Sequence, residues 1–345
     1  MSSATDYHGF AVQSLAADGC HGLLVMPKKA LAGNPWVWRM MFWDAFPSVD
    51  LALLEAGFHV AFVDVGNTFG APEQMKHFDA FYEIVTKQFV LSSKPALEGL
   101  SRGGLYAYRW SYVNTDKVGC IYGDAPVCDM KSWPGGKGKG PGSPSDWKQA
   151  IEAYHFTSEQ EMLDFKGNPI DILAPIAAAH IPILHVCGDA DRNLPMEENS
   201  DIARQRYMAL GGDFALIVKQ GCDHHPHGLK DPTPIVNFIL AHCAEGKTAK
   251  KASAASPQPG SVLLLSRGKW QVWLLLSKWQ SIILPETLTP NKSCGRRGRV
   301  AAGVPDVWVC STWTSSACET CLASQPDKNH RKTFRNSRLN IRHMK

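Results

Sequence analysis

The sequence predicts an α/β protein with a mostly parallel central sheet, helices on both faces of that sheet and an antiparallel hairpin at the N-terminus. Two observations predict this class. Short apolar runs alternate with segments of helical spacing, which is the pattern of parallel strands buried on both faces. The first two apolar runs are instead joined through Asp18-Gly19, a dipeptide typical of tight hairpin turns. Ligands bind such sheets at the carboxyl ends of the strands, so functional residues are expected there.

The predicted elements follow one another as strands and helices in alternation. The strands are short apolar runs bounded by proline, glycine or charged residues, at 10–13, 22–26, 36–40, 58–63, 94–100, 119–122, 181–187 and 214–218. Apolar residues recur at helical spacing between them and predict helices over 49–56, 72–89, 105–113 and 234–241.

A serine stands between glycines where the predicted strand at 94–100 ends and a helix begins. Residues 99–104 read Gly-Leu-Ser-Arg-Gly-Gly, which is the G-x-S-x-G pattern of a nucleophile elbow with Ser101 as the nucleophile. The neighbours must be small because strand and helix approach closely at such a turn. An ordinary glycine-rich turn is the alternative, so the prediction depends on an acid and a base downstream.

The loop after the predicted strand at 181–187 supplies the candidate acid. We favour Asp191 because it lies further into the loop, where a carboxylate can reach a histidine. Asp189 is the alternative. Both aspartates also suit ordinary turn or helix-cap chemistry, because a helical run begins soon after at Glu197.

The loop after the predicted strand at 214–218 supplies the candidate base. An imidazole, with a pKa near about 6.5, suits proton transfer at neutral pH. We favour His224 because it comes first after the turn at Gly221, with His227 as the second choice. His225 is the third, since a residue before proline is pushed into extended geometry.

The same histidines raise the question of a metal site, with Asp223 and Asp231 nearby. Pro226 interrupts any helical spacing of ligands, and the sequence contains no H-E-x-x-H motif. The pattern therefore favours a catalytic base, and neither a metal nor a cofactor is predicted. Solvated loop histidines are the remaining interpretation.

Residues from about 8 to 245 resemble an α/β-hydrolase. The Ser-Arg pair of the elbow, the acidic loop at 188–191 and the His-His-Pro-His run at 224–227 are similar to bacterial carbohydrate-esterase-like and prolyl-oligopeptidase-like members. The resemblance implies the α/β-hydrolase fold, a triad of the serine, histidine and aspartate favoured above, and an oxyanion hole of two backbone N–H groups.

The resemblance also implies where the two oxyanion donors lie. The resemblance assigns one to Arg102, the residue after the serine, and the other to the loop near Arg39 or Met40. A surface charge that closes a strand is the alternative interpretation of Arg39.

Two features bear on the substrate. The charge of Arg102 beside the nucleophile suits recognition of a uronic-acid ester, since glucuronoyl esterases also have arginine after the serine. The alternative is that Arg102 forms a structural salt bridge with Glu98 or Asp124. The long loop at 132–141 carries Trp133, which suits a sugar-stacking rim, with a mobile surface loop as the alternative.

The resulting hypothesis is a serine hydrolase that cleaves carboxylic esters through an acyl-enzyme, with acylated or uronate-ester carbohydrate as the favoured small-molecule substrate class. A peptidase or thioesterase using the same triad is the alternative. A catalytically silent hydrolase scaffold used for binding is the third hypothesis.

Charge divides the chain into two unlike parts. Residues 247–345 carry 17 Lys and Arg against 4 acidic residues, which leaves a net of −9 for residues 1–246 out of the total of +4. The sequence predicts a hydrolase domain over 1–246, a linker over 247–260 and a basic, disordered or non-native tail over 261–345. Nucleic-acid binding is not predicted, because the enzyme-like part is acidic.

Cysteine usage and the N-terminus bear on location. Several of the ten cysteines fall in apparent core strands, and buried free thiols suit a reducing compartment. No charged segment followed by an apolar run stands at the N-terminus, so a cytoplasmic protein without a membrane anchor is expected.

Overall fold

The structure is a computed structural model that describes residues 6–244, 262–266 and 269–273. Its strands are β1 (Asp6–Tyr7), β2 (Phe10–Ala17), β3 (Cys20–Val25), β4 (Trp36–Arg39), β5 (His59–Asp64), β6 (Ala96–Leu100), β7 (Cys120–Asp124), β8 (Ile183–Gly188), β9 (Phe214–Lys219), β10 (Val262–Ser266) and β11 (Lys269–Trp273). They form one sheet in the order β1-β2-β3-β5-β4-β6-β7-β8-β9-β10-β11. Pairing is parallel from β5 to β10 in that order and antiparallel at both ends.

The helices are α1 (Ser48–Glu55), α2 (Met75–Gln88), α3 (Gly103–Val113), α4 (Pro144–Ala153), α5 (Glu159–Asp164), α6 (Leu173–Ala178), α7 (Ser200–Ala209) and α8 (Thr233–Cys243). They cover both faces of the sheet. Apolar residues of α2 to α7 form one core cluster, and those of α1 and α8 form a second. Alternate residues of β4 belong to different clusters, because successive side chains of a strand point to opposite faces. The predicted class is therefore confirmed.

The N-terminal hairpin has the predicted turn. Asp18 and Gly19 both have positive φ, at 47° and 79°, and Ala17 pairs with Cys20 across them. Two central residues with φ above zero form the turn type whose twist matches that of paired strands. The strands are longer than the predicted 10–13 and 22–26, since pairing continues up to this turn.

The segment between β7 and β8 differs most from expectation, because it contains α4, α5 and α6 after the predicted loop at 132–141. The sequence does carry a start signal for α4. Ser143 caps the helix by accepting the N–H of Asp146 at 3.4 Å, and Pro144 occupies its first turn.

The predicted division near residue 246 stays a prediction, because most residues after 244 lie outside the described part of the chain. Among the described residues after 244, those of β10 pair in parallel with β9. No helix among the described residues is both long and apolar enough to cross a membrane.

Candidate active site

The site begins at the turn between β6 and α3, where Ser101 has a φ of +48°. A residue with a side chain rarely adopts this left-handed conformation, so the turn is strained in the way a nucleophile elbow requires. The glycines around it permit close contact. A Cβ on Gly99 would lie 2.9 Å from the carbonyl oxygen of Gly103, and one on Gly104 would lie 2.6 Å from Cβ of Pro126. Packing thus requires glycine at positions 99 and 104, whereas a Cβ on Gly103 would lie 3.4 Å from its nearest neighbour.

Three side chains from separate loops form a hydrogen-bonded relay. Nε2 of His224 lies 3.0 Å from Oγ of Ser101, and Nδ1 of the same ring lies 2.7 Å from Oδ2 of Asp191. The loops follow β6, β8 and β9, whose carboxyl ends share one edge of the sheet. The imidazole that donates from Nδ1 to the carboxylate keeps a lone pair on Nε2 for the serine proton.

The acid is fixed by its own loop. Oδ1 of Asp191 accepts the backbone N–H groups of Asn193 at 2.9 Å and Leu194 at 2.8 Å, which leaves Oδ2 for His224. Asp189, the alternative acid, instead accepts the N–H of Gly221 at 2.6 Å. The structure therefore brings Asp191 to the histidine and places Asp189 in a structural contact between two loops.

An ion pair that the sequence reasoning missed ties the acid loop to the base loop. Asp223 accepts the N–H of His224 at 2.9 Å and the backbone N–H of Arg192 at 3.0 Å. The guanidinium of Arg192 also donates to it from Nε at 2.9 Å and from Nη2 at 2.6 Å. The hydrogen bonds from Arg192 and His224 hold the pKa of Asp223 well below its usual value. Asp223 thus stays ionised and orients the backbone that carries the base.

The two other histidines of the loop have other partners than Ser101. Nδ1 of His227 lies 2.8 Å from Oδ1 of Asp124, a fully buried carboxylate at the end of β7. Burial raises the pKa of Asp124, but the hydrogen bond from His227 and the charge of Lys219 outweigh it and hold the pKa below its usual value. His225 is exposed and stacks on Phe46, with ring centroids 5.6 Å apart.

Arg102 lies beside the serine with its charge already paired. Its Nη1 donates to Asp146 at 2.9 Å and to Asn67 at 3.0 Å. The expected alternative partners, Glu98 and Asp124, are replaced by Asp146 because the unpredicted helix α4 carries this residue over the site. Three aromatic rings surround the guanidinium carbon at 5.3–5.5 Å, those of Phe42, Phe69 and Trp133. The structure therefore brings Arg102 and Trp133 together.

The two candidates for the second oxyanion donor lie at the carboxyl end of β4. The N–H of Met40 donates to the carbonyl of Glu98 at 3.0 Å, so it already has a partner in the neighbouring strand. Arg39 lies within β4, which is paired on both sides, and its fully buried guanidinium forms ion pairs with Asp50 and Glu98. The structure therefore speaks against the N–H of Met40 itself, and the placement of the second donor near Arg39 or Met40 stays a prediction. The next residue, Met41, has its backbone nitrogen 3.8 Å from the position of a Cβ on Gly103, so it borders the elbow.

The ion pairs of Arg39 belong to a buried charge cluster beneath the site. Burial and the nearby charge of Asp50 raise the pKa of Glu98 well above its usual value, despite the guanidinium beside it. Arg39 therefore faces two buried acidic side chains, of which that of Glu98 favours its neutral form. The sequence signal for this cluster is an acidic residue inside the apolar run at 96–100.

Comparisons with known proteins bear on the fold. No model of a known family matches the chain, and no curated protein matches it. Among solved structures, a puromycin hydrolase mutant complexed with PGG gives a TM-score of 0.52 at 15% identity, covering 72% of this chain and 40% of its own. An acylaminoacyl peptidase from Pyrococcus horikoshii gives 0.53 at 13% identity, covering 72% and 46%. A dipeptidyl peptidase 4 from Porphyromonas gingivalis gives 0.50 at 13% identity, covering 69% and 36%.

This chain therefore spans less than half the length of each of these solved structures. At such identities the likeness shows the fold, and the chain has the α/β-hydrolase fold that the sequence predicts.

Proposed function

We propose that the chain is a serine hydrolase that cleaves acyl bonds through a covalent acyl-enzyme. The observation that carries the proposal is the relay from Asp191 through His224 to Ser101, built on a serine in the left-handed conformation. Ser101 is the nucleophile, His224 the general base and acid, and Asp191 the group that orients the imidazole.

Acylation begins with attack of Oγ of Ser101 on the substrate carbonyl carbon, while Nε2 of His224 takes the hydroxyl proton. The resulting imidazolium is stabilised by Asp191 at its Nδ1. Collapse of the tetrahedral intermediate breaks the bond to the leaving group, which receives the proton from Nε2. A water molecule, deprotonated by the same nitrogen, then attacks the acyl carbon; the bond to Oγ of Ser101 breaks, Oγ takes the proton back from Nε2, and the acid is released.

The oxyanion requires two N–H donors aimed at the developing charge. We assign them to the backbone of Arg102, which directly precedes α3, and of Met41, the second residue after β4. Both border the elbow, and the amide of Met40 is consumed by the sheet. The side chain of Arg102 is held by Asp146, so its role is to shape the cleft wall together with Trp133.

Two substrate classes follow from different observations. Carboxylic esters, with acylated carbohydrate as the class the sequence favours, suit the aromatic wall that Trp133 provides. Peptide substrates are supported by the solved structures that resemble the chain, two of which are named as peptidases. The pairing of Arg102 with Asp146 argues against recognition of a uronate charge, because a substrate carboxylate would have to displace Asp146.

The test is turnover of matched ester and peptide panels by the wild type and Ser101→Ala. Loss of several orders of magnitude in kcat in a folded Ser101→Ala variant is expected, and unchanged turnover refutes the proposal. The ratio of ester to peptide turnover in the wild type decides between the two substrate classes.

A further inference from the structure

The three histidines of the base loop lie close enough together for side-chain rotations to bring them to one metal ion, around which tetrahedral ligand nitrogens are roughly 3.4 Å apart. One ring nitrogen from each of His224, His225 and His227 lies within 4.8 Å of the others. Their ring centroids are separated by 4.8, 4.9 and 4.8 Å. Three imidazoles bound to one tetrahedral zinc ion, with metal–nitrogen bonds of about 2.0–2.1 Å, have centroids roughly 5 Å apart. Pro226 prevents helical spacing of the ligands in this loop, but the folded loop still brings the three rings together.

Carboxylates already occupy the outer nitrogens of two of these rings. Asp191 lies 2.7 Å from Nδ1 of His224, and Asp124 lies 2.8 Å from Nδ1 of His227. Metal-binding histidines commonly donate this N–H to a carboxylate, which fixes the ring and makes the opposite nitrogen a better ligand. Nε2 of both rings is therefore oriented and electron-rich.

Charge and access also suit a dication. Two buried carboxylates, those of Asp124 and Asp191, support the rings, and they outnumber the one ammonium nearby, that of Lys219, 4.0 Å from Asp124. His224 and His227 are buried, whereas His225 is exposed and stacks on Phe46. An ion can thus enter from the side of His225 and reach the two buried rings.

We propose that His224, His225 and His227 bind one divalent transition-metal ion, of which Zn²⁺ is the representative, and that the bound ion switches hydrolysis off reversibly. The metal bond forms with the Nε2 lone pair of His224, the same pair that accepts the proton of Ser101. A ring that coordinates the ion cannot take that proton. The inhibition rests on the proposed function, whereas metal binding does not.

The experiment measures Zn²⁺ binding to the full-length chain by calorimetry and, in parallel, the effect of ZnCl₂ on ester hydrolysis. The ten cysteines of the chain can also bind Zn²⁺, so binding at the histidines is measured as the difference in bound Zn²⁺ between the wild type and the histidine variants. His225→Ala removes one ligand, and His225→Phe keeps a ring against Phe46 but cannot coordinate. His21→Ala, at an exposed histidine in β3, is the matched control.

Both His225 variants are expected to lose one equivalent of Zn²⁺, or to bind it at least about tenfold more weakly, while metal-free hydrolysis stays within about threefold of wild type. His21→Ala and Ser101→Ala are expected to keep that equivalent. Saturating Zn²⁺ lowers wild-type turnover at least about tenfold, and chelation restores it.

Equal Zn²⁺ binding by wild type and both His225 variants overturns the metal site. Full wild-type activity with that equivalent bound overturns the inhibition. If the wild type hydrolyses no substrate, the proposed function fails, but binding to wild type and Ser101→Ala still decides the metal site. The two proposals therefore fail separately.

Discussion

Replacing Asp191 with asparagine tests the relay at its carboxylate, whose side chain is buried. Oδ1 of Asp191 accepts two backbone N–H groups, from Asn193 and Leu194, so an asparagine must keep its carbonyl oxygen there. Its NH₂ group then faces Nδ1 of His224 and donates where the carboxylate accepted. The ring is forced into the tautomer with hydrogen on Nε2, which cannot take the proton of Ser101.

The expected cost is large because the base itself is lost. A wrong tautomer in a serine triad lowers kcat by roughly 10⁴-fold, and each tenfold corresponds to about 1.4 kcal/mol of activation free energy. We therefore expect Asp191→Asn to lose about 5–6 kcal/mol of transition-state stabilisation, with little loss of folding stability because the backbone contacts persist.

The assay is steady-state kcat on an activated ester, with thermal unfolding as the check on folding. Asp189→Asn is the matched control, because Asp189 lies in the same loop but contacts Gly221 instead of the base. We expect it to keep kcat within about tenfold. Activity of a folded Asp191→Asn variant within tenfold of wild type would refute the reasoning.

Three further predictions concern packing, orientation and pH. Gly104→Ala places a Cβ 2.6 Å from a carbon of Pro126 and should lower the free energy of unfolding, measured by urea titration, by about 1–3 kcal/mol. In Gly103→Ala the nearest contact of the new Cβ is 3.4 Å, so this variant should lose less than about 1 kcal/mol. Equal losses in the two variants contradict the packing argument. Asp223→Ala removes the acceptor of the His224 N–H and of Arg192, so it should lower kcat about tenfold and also lower the free energy of unfolding; an unchanged kcat in the folded variant removes its positioning role. Burial lowers the pKa of His185 to about 3, so below about pH 6.5 the unfolded chain binds a proton that the native chain does not. The free energy of unfolding should therefore fall as the pH is lowered from about 6.5 to about 3. A His185→Gln variant should show a smaller fall, because it lacks this proton-binding group.

The sequence predicts the central fold well because burial and local turns dictate it. The strands at the centre of the sheet are short, mostly apolar runs, and the hairpin has an Asp-Gly dipeptide that favours a tight turn. The helices between β7 and β8 were not predicted, since α5 and α6 have only six residues each and give little periodicity.

The site was predictable only in part. Order along the chain and loop position led to Ser101, Asp191 and His224, which the structure brings together. The hydrogen bond of Met40 to the neighbouring strand depends on exact pairing, which no local pattern reveals. The partner of Arg102 is likewise set by tertiary packing, because α4 approaches the elbow from a distant part of the chain.

The most direct test of the account is covalent labelling with a fluorophosphonate, followed by mass spectrometry of the peptides. The account predicts one adduct, on Ser101, in the wild type. It predicts no adduct at that position in Ser101→Ala and labelling slowed by several orders of magnitude in His224→Ala, because the hydroxyl reacts only when Nε2 takes its proton. An adduct on a different serine, or equally fast labelling of Ser101 without His224, would contradict it.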